Sequence, residues 1–276
     1  MKTFVFTVFL MLFFMAECVY AQTYEELIMK SYDFLEINDL PAAEESLKAA
    51  MRLEPANKLN FTLLTNLGTI QRQLGNLEDA LSSYTAALNQ QPKNVVIIEN
   101  RAILYTEMGE PELAMSDYQT LIAINPLNEE ALYQRGLLYI QSNDLMLAEM
   151  DFERIMEINR ETLKGRLGFA ILEKIRQNYV ESEEILNYLI GKYPDYLLLY
   201  EERAELFFLT NRRGRAMTDL NKVFAETPNP SAELYVLRGR IKLAQFEKES
   251  AALDFRKALS LGYDPATIEN LLTQTY

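Results

Sequence analysis

Four arginine–aspartate pairs recur in this chain at one fixed separation: Arg101 with Asp117, Arg135 with Asp151, Arg203 with Asp219 and Arg238 with Asp254. Such a set can form structural ion pairs, or it can present a row of arginines that grips an acidic ligand. An aspartate accompanies each arginine, which favours pairing, inside or between the elements that carry the two residues. Other residues able to do chemistry are few. There is no histidine and a single cysteine, Cys18. Glu44-Glu45 and Glu183-Glu184 fall at polar positions of a helical pattern and read as solvated faces rather than acid/base pairs. Arg212, Arg213 and Arg215 crowd one short segment, where they read as uncommitted surface charge able to dock an acidic partner. The formal net charge of −13 argues against nucleic acid and against anionic membrane surfaces, both of which need clustered Lys and Arg.

The N-terminus sets a boundary. Lys2 precedes an apolar run from Phe4 to Ala16, with the small residues Val19 and Ala21 after it. This is the pattern of a secretory signal over residues 1–21, cleaved after Ala21. The run is shorter than the ~20 apolar residues a spanning helix needs, so no membrane insertion of the mature chain is expected. A lipoprotein reading would acylate Cys18, but Glu17 stands before it where such sites want a small residue. Cleavage removes one lysine and one glutamate and leaves the charge of −13 unchanged. It also removes Cys18. The mature protein then has no disulfide, and Ser/His/Asp catalysis, Cys/His catalysis and zinc sites built on nitrogen or sulfur are excluded by inventory. No catalytic residue, cofactor or metal is expected, and the expected location is the periplasm or cell envelope.

Elements must position the arginines and aspartates, and a repeat supplies them. Small residues recur at Ser31, Gly68, Ala102, Gly136, Ala170, Ala204 and Gly239, and again at Ala43, Ala80, Ala114, Ala148, Ser182, Ala216 and Ala251. Pro55, Pro92, Pro126, Pro194 and Pro228 close five of the seven units; Arg160 and Tyr263 close the others. Most steps are 34 residues long. Apolar residues at helical spacing, such as Leu64, Leu67 and Ile70 before Gly75 and Leu81, Tyr84 and Leu88 after it, make each unit two amphipathic helices. Small residues sit where the helices cross. Gly75 and Gly109 mark turns that need positive φ, and Pro41 and Pro111 open second helices, where an N–H has no use. The glycines of Asn66–Pro92 are therefore packing and turn residues. They do not cradle phosphate, and no GxGxxG or Walker A spacing exists in the chain.

A helix-turn-helix unit of 34 residues with small residues at positions 8 and 20, an aromatic at 24 (Tyr84, Tyr118, Phe152, Phe255) and proline at 32 resembles the tetratricopeptide repeat, secreted bacterial type. The match is weakest in the fifth unit, where Ser182 and Glu173 replace the usual alanine and aromatic, and a looser hairpin is expected there. The implied fold is an all-α superhelical solenoid of seven repeats over residues 22–263 (24–57, 61–94, 95–128, 129–162, 163–196, 197–230 and 232–263). A capping box of Thr23 and Glu26 opens it. Residues 264–276 hold a capping helix started by Asp264-Pro265.

The resemblance implies a non-enzymatic scaffold that binds a peptide or protein segment in a concave groove lined by first helices at positions 2, 5, 9 and 12. In repeats four to seven these positions read Tyr133, Leu137 and Ile140, then Leu167, Ile171 and Lys174, then Glu201, Glu205 and Phe208, then Val236, Arg240 and Leu243. Such an apolar surface marks an interaction site, although superhelical curvature would bury part of it. Tyr133 and Phe208 are the expected anchors, and Glu205 and Arg240, at position 9 of adjacent repeats, are expected to pair. Thr65, Asn66 and Thr69 stand where related chaperone cofactors place carboxylate-clamping Lys and Asn, so carboxylate capture is not expected. The alternative is a structural or assembly subunit of an envelope complex that meets its partners through its ends or convex face.

Overall fold

The computed structural model describes residues 22–275; the leader expected over residues 1–21, with Cys18, lies outside the described residues. Every regular element among the described residues is an α-helix. None of these helices is long and apolar enough to cross a membrane. The chain divides after Ile124 into two compact units. The first unit holds three helical hairpins: α1 (Tyr24–Glu36) with α2 (Leu40–Leu53), α3 (Asn60–Gln73) with α4 (Leu77–Gln90), and α5 (Val95–Glu107) with α6 (Pro111–Ile124). The second holds four: α7 (Glu129–Gln141) with α8 (Leu145–Ile158), α9 (Leu163–Ile175) with α10 (Tyr179–Lys192), α11 (Leu198–Leu209) with α12 (Arg213–Glu226), and α13 (Ala232–Ala244) with α14 (Lys248–Ser260). The short helix α15 (Pro265–Thr273) closes it.

Local chemistry explains the helix ends. At α1 the Thr23 hydroxyl accepts from the Glu26 amide at 3.2 Å while the Glu26 carboxylate accepts from the Thr23 amide at 2.9 Å. This is the reciprocal cap read from the sequence. Pro41 lies in the first turn of α2 behind the Asp39 cap, and Pro111 is the first residue of α6. All seven turns within hairpins place one residue in the left-handed region: Gly75 (φ 80°) and Gly109 (φ 73°), and at the same position Asn38, Asn143, Gln177, Asn211 and Phe246. Asparagine tolerates that conformation and glycine adopts it freely. A phenylalanine is sterically strained there, yet Phe246 adopts it while 87% exposed.

Packing within each hairpin rests on size matching at the crossing. Ala43, Ala80, Ala114, Ala148, Ser182, Ala216 and Ala251 are fully buried. Facing them, glycine at position 8 meets an aromatic at position 24. A Cβ added at Gly68 would stand 2.7 Å from the Tyr84 ring, and one at Gly239 would stand 2.5 Å from Phe255. Phe152 is confined twice, by Gly136 of its own hairpin and by Gly168 of the next. Where position 8 is Ser31, Ala170 or Ala204, position 24 is Leu47, Leu186 or Leu220, while Ala102 stands opposite Tyr118. The fifth hairpin is held by other means. The Ser182 hydroxyl donates to the Ala170 carbonyl at 2.8 Å across the crossing, and the buried Glu173 carboxylate accepts from Arg176 and Asn178. At the chain's end Asp264 caps α15, which buries Ile268 and Leu271 against Val236, Ala251, Phe255 and Ala258.

Candidate functional site

The arginine–aspartate pairs lie inside hairpins, from first helix to second. Each is bidentate. Arg101 Nε and Nη2 donate to the two Asp117 oxygens at 2.8 Å and 2.8 Å, and Arg135 to Asp151 at 2.8 Å and 2.6 Å. Arg203 meets Asp219 at 2.8 Å and 2.8 Å, and Arg238 meets Asp254 at 2.9 Å and 2.6 Å. The aspartates are buried, with 4–5% of their surface exposed. Hydrogen bonding to the aspartates holds the Arg101, Arg135 and Arg203 guanidinium groups above their ordinary pKa. Asp254 is gripped twice, because Lys242 Nζ also reaches it at 2.7 Å. Each guanidinium of this set spends its Nε and Nη2 donors on its own aspartate, which makes the set structural first. Hairpins without the pair substitute smaller networks. In the first unit Gln71 donates to Glu44 at 3.0 Å and accepts from Ser83 at 2.7 Å.

Several charges expected to be solvated or uncommitted are engaged. Burial pushes the Glu44 carboxyl up, but hydrogen bonds from Lys48 and Gln71 outweigh it and leave it below the usual glutamate value. Glu183 holds Arg212 at 2.6 Å, and Arg212 lies over the Phe207 ring at 4.5 Å. Arg213 donates to the Ala244 carbonyl at 2.8 Å, which ties one repeat to the next. Only Arg215 of the three stands largely in solvent.

The first-helix face of the second unit differs from expectation in one systematic way. Position 5 is not part of an open surface: Tyr133 is 6% exposed, Leu167 1% and Val236 4%. Tyr133 and Leu167, expected to line the groove, belong to the core; Val236 is buried too, yet forms part of the wall of a cavity on this face. First helices of successive repeats pack on one another, α7 on α9, α9 on α11 and α11 on α13; Val236, on α13, is covered by α14 and α15, among Ala251, Phe255, Ile268 and Leu271. The Tyr133 ring also meets Phe152 at 6.2 Å, and burial raises its hydroxyl pKa. Positions 9 and 12 remain at the surface except at Lys174, which is buried. Leu137, Ile140, Ile171 and Phe208 are half-buried, and Glu205 and Arg240 are exposed. The expected Glu205–Arg240 pair does not form. Glu205 is taken by Lys174, a buried lysine that also binds Glu202 at 2.7 Å. Desolvation lowers the Lys174 pKa, but Glu202 and Glu205 more than restore it. No carboxylate among the described residues pairs with Arg240.

Two cavities open on this face. One, of about 650 Å³, lies between α11, α13 and α15, walled by Phe208, Leu243 and Leu271 with the polar tips of Thr267, Asn270 and Gln274. The other, of about 370 Å³, lies between α11 and α13, walled by Glu201, Glu202, Glu205, Glu233, Leu237 and Tyr263. Arg240 belongs to both walls. Glu201 occupies position 5, where neighbouring repeats place Leu167 and Val236; burial, with the Glu202 charge, raises its pKa above 4.5. No signal in the repeat pattern marks α15 as a cavity wall, because that helix lies outside the period.

The fold has a solved counterpart. A crystal structure of a tetratricopeptide repeat protein from Parabacteroides merdae is 60% identical, superposes with a TM-score of 0.78, and matches over 92% of this chain and 99% of that one. The chain belongs to the tetratricopeptide repeat family. Tetratricopeptide repeat models match residues 28–95 and 129–162. MamA from Desulfovibrio magneticus (16% identity, TM-score 0.54, 61% of this chain and 93% of that one) shares the fold. So does PilF of Pseudomonas aeruginosa (16% identity, TM-score 0.52, 78% and 97%). No curated protein sequence matches. As a tetratricopeptide repeat protein, the chain carries a protein–protein interaction fold.

Proposed function

We propose that the protein is a non-enzymatic scaffold, exported through the segment at residues 1–21 into the periplasm or cell envelope, that binds a polypeptide segment on the first-helix face of its second unit. The observation that carries this reading is the open cavity between α11, α13 and α15, with Phe208 and Leu243 on its walls and α15 at its end. A cavity of about 650 Å³ accommodates large side chains, and aromatic anchors in such pockets dominate binding energy at interfaces. Arginine–aspartate pairing supports a scaffold role, since it consumes the charged residues that a polar active site would use. The export reading rests on the charge, length and small residues of the leader.

A second reading has an observation of its own. Second helices of this unit expose Met146 (74%), Val180 (74%) and Leu253 (65%), the side chains that an assembly contact through the convex face would cover. Affinity purification from cells expressing the wild type, Phe208→Ala or Leu253→Ala separates the two. The first-helix reading predicts that Phe208→Ala loses the co-purifying protein and Leu253→Ala keeps it. The opposite pattern overturns it.

A further inference from the structure

The charge around the larger cavity selects its occupant. A partly apolar pocket adjoins an acidic one across the Arg240 side chain, on a protein whose net charge is −13. Lys174 engages Glu202 and Glu205, but no cation among the described residues pairs with Glu201 or Glu233. The carboxylate of Glu201 stands at a helix-contact position that other repeats of this unit fill with Tyr133, Leu167 or Val236. Leaving a half-buried carboxylate unpaired costs stability, and a cation delivered into the smaller cavity would offset that loss. No group of acidic residues among those described is arranged to hold a metal ion, so a cation carried on a flexible side chain fits the walls better.

We propose that the α11–α13–α15 surface docks an extended segment in which a large apolar residue stands beside a basic one, the apolar side chain entering the larger cavity and the ammonium or guanidinium group meeting Glu201 and Glu233. Arg240, on the shared wall, repels the cation from the apolar cavity and so fixes the direction in which the segment lies. The protein's overall charge attracts a basic segment and repels an acidic one, and this steering weakens as salt screens it. The inference rests on the binding face argued under Proposed function and adds the chemistry of the segment.

The test uses three capped tripeptides: Lys-Phe-Lys, Lys-Ala-Lys and Glu-Phe-Glu. Binding is followed by methyl resonances of Leu237 and Leu243 and by calorimetry. Lys-Phe-Lys should bind saturably and shift both leucines. Lys-Ala-Lys and Glu-Phe-Glu should each bind at least about tenfold more weakly, the change that one well-placed contact produces. The Glu201→Gln/Glu233→Gln double variant should lose at least about tenfold for Lys-Phe-Lys and should not weaken binding of Glu-Phe-Glu, which brings no cation to those carboxylates. Equal or tighter binding of Glu-Phe-Glu, shifts confined to other leucines, or no saturable binding of Lys-Phe-Lys overturns the inference. Those results leave the first-helix reading standing if Phe208→Ala still releases the co-purifying protein; retention of that protein removes the reading itself.

Discussion

Removing Arg135 alone strands a carboxylate. Asp151 is 4% exposed, and its two oxygens accept from Arg135 Nε at 2.8 Å and Nη2 at 2.6 Å. In Arg135→Met the hydrophobic stem is largely kept and both bonds are lost, so Asp151 must take up a proton or open the α7–α8 hairpin to water. Breaking a buried pair from one side costs about 3–5 kcal/mol. The Arg135 side chain keeps 20% of its surface exposed, which lets some water reach the site and places the expected loss near about 3 kcal/mol. Adding Asp151→Leu removes the stranded charge and should recover most of that loss. Arg238→Met supplies an internal control. Lys242 still holds Asp254 at 2.7 Å, so the loss there should be clearly smaller. Repeat arrays can open in parts, so the assay is native-state hydrogen exchange of amides in α7, α8, α13 and α14 rather than a single melting curve. Losses of under about 1 kcal/mol in Arg135→Met, the range of exposed pairs, with no recovery in the double variant, would mean that no buried charge had been stranded.

Gly136→Ala pushes a Cβ into the Phe152 ring, which Gly168 confines from the other side. It should cost about 1–3 kcal/mol by chemical denaturation, whereas Gly214→Ala, with nothing within 4 Å of the added atom, should stabilise by up to about 1 kcal/mol. Phe246→Asn should raise stability by about 1 kcal/mol, because asparagine tolerates the left-handed φ of 66° that phenylalanine does not; unchanged or lower stability would show that the exposed ring is held by contacts that compensate. Glu201 titrates above 4.5 in the folded protein, so the folded state binds more protons than the unfolded one as pH rises past that value, and this residue lowers stability progressively through the window above it. Glu201→Gln should therefore gain on the wild type as pH climbs from 4.5 toward neutrality, read from denaturation midpoints across that range; a constant difference contradicts the assignment.

How legible the molecule was in its sequence depended on whether a residue's environment repeats. Crossing residues such as Ala80 and Ala148 and ring positions such as Tyr84 and Phe152 face the same neighbours in every hairpin, so spacing alone placed them in the core. Arg135 and Asp151 likewise stand at matched heights of one hairpin. Positions that face the next repeat were harder. Tyr133, Leu167 and Val236 read as groove residues because an amphipathic pattern shows an apolar face without showing whether solvent or another helix covers it; all three are buried, Val236 under α14 and the closing helix α15. Glu205 and Arg240 share a repeat position, yet Lys174, one repeat earlier, captures Glu205. A long side chain chooses its partner by reach, which a one-dimensional pattern does not encode. The pairing of glycine at Gly68, Gly136 and Gly239 with aromatic rings was present in the sequence and becomes evident once the crossing is seen; Ala102 opposite Tyr118 shows that an alanine also admits a ring there.

Site-specific photo-crosslinking distinguishes the two faces of the second unit in living cells. A photoreactive residue is placed in turn at Leu243 and Phe208, on the first-helix face, and at Met146 and Leu253, on the outward face of second helices, in cells that express the full chain. Binding on the first-helix face predicts one shared protein adduct at Leu243 and Phe208 and none of it at Met146 or Leu253. The same adduct at Met146 and Leu253, with none at the first-helix positions, would contradict that binding mode and move the surface to the opposite face.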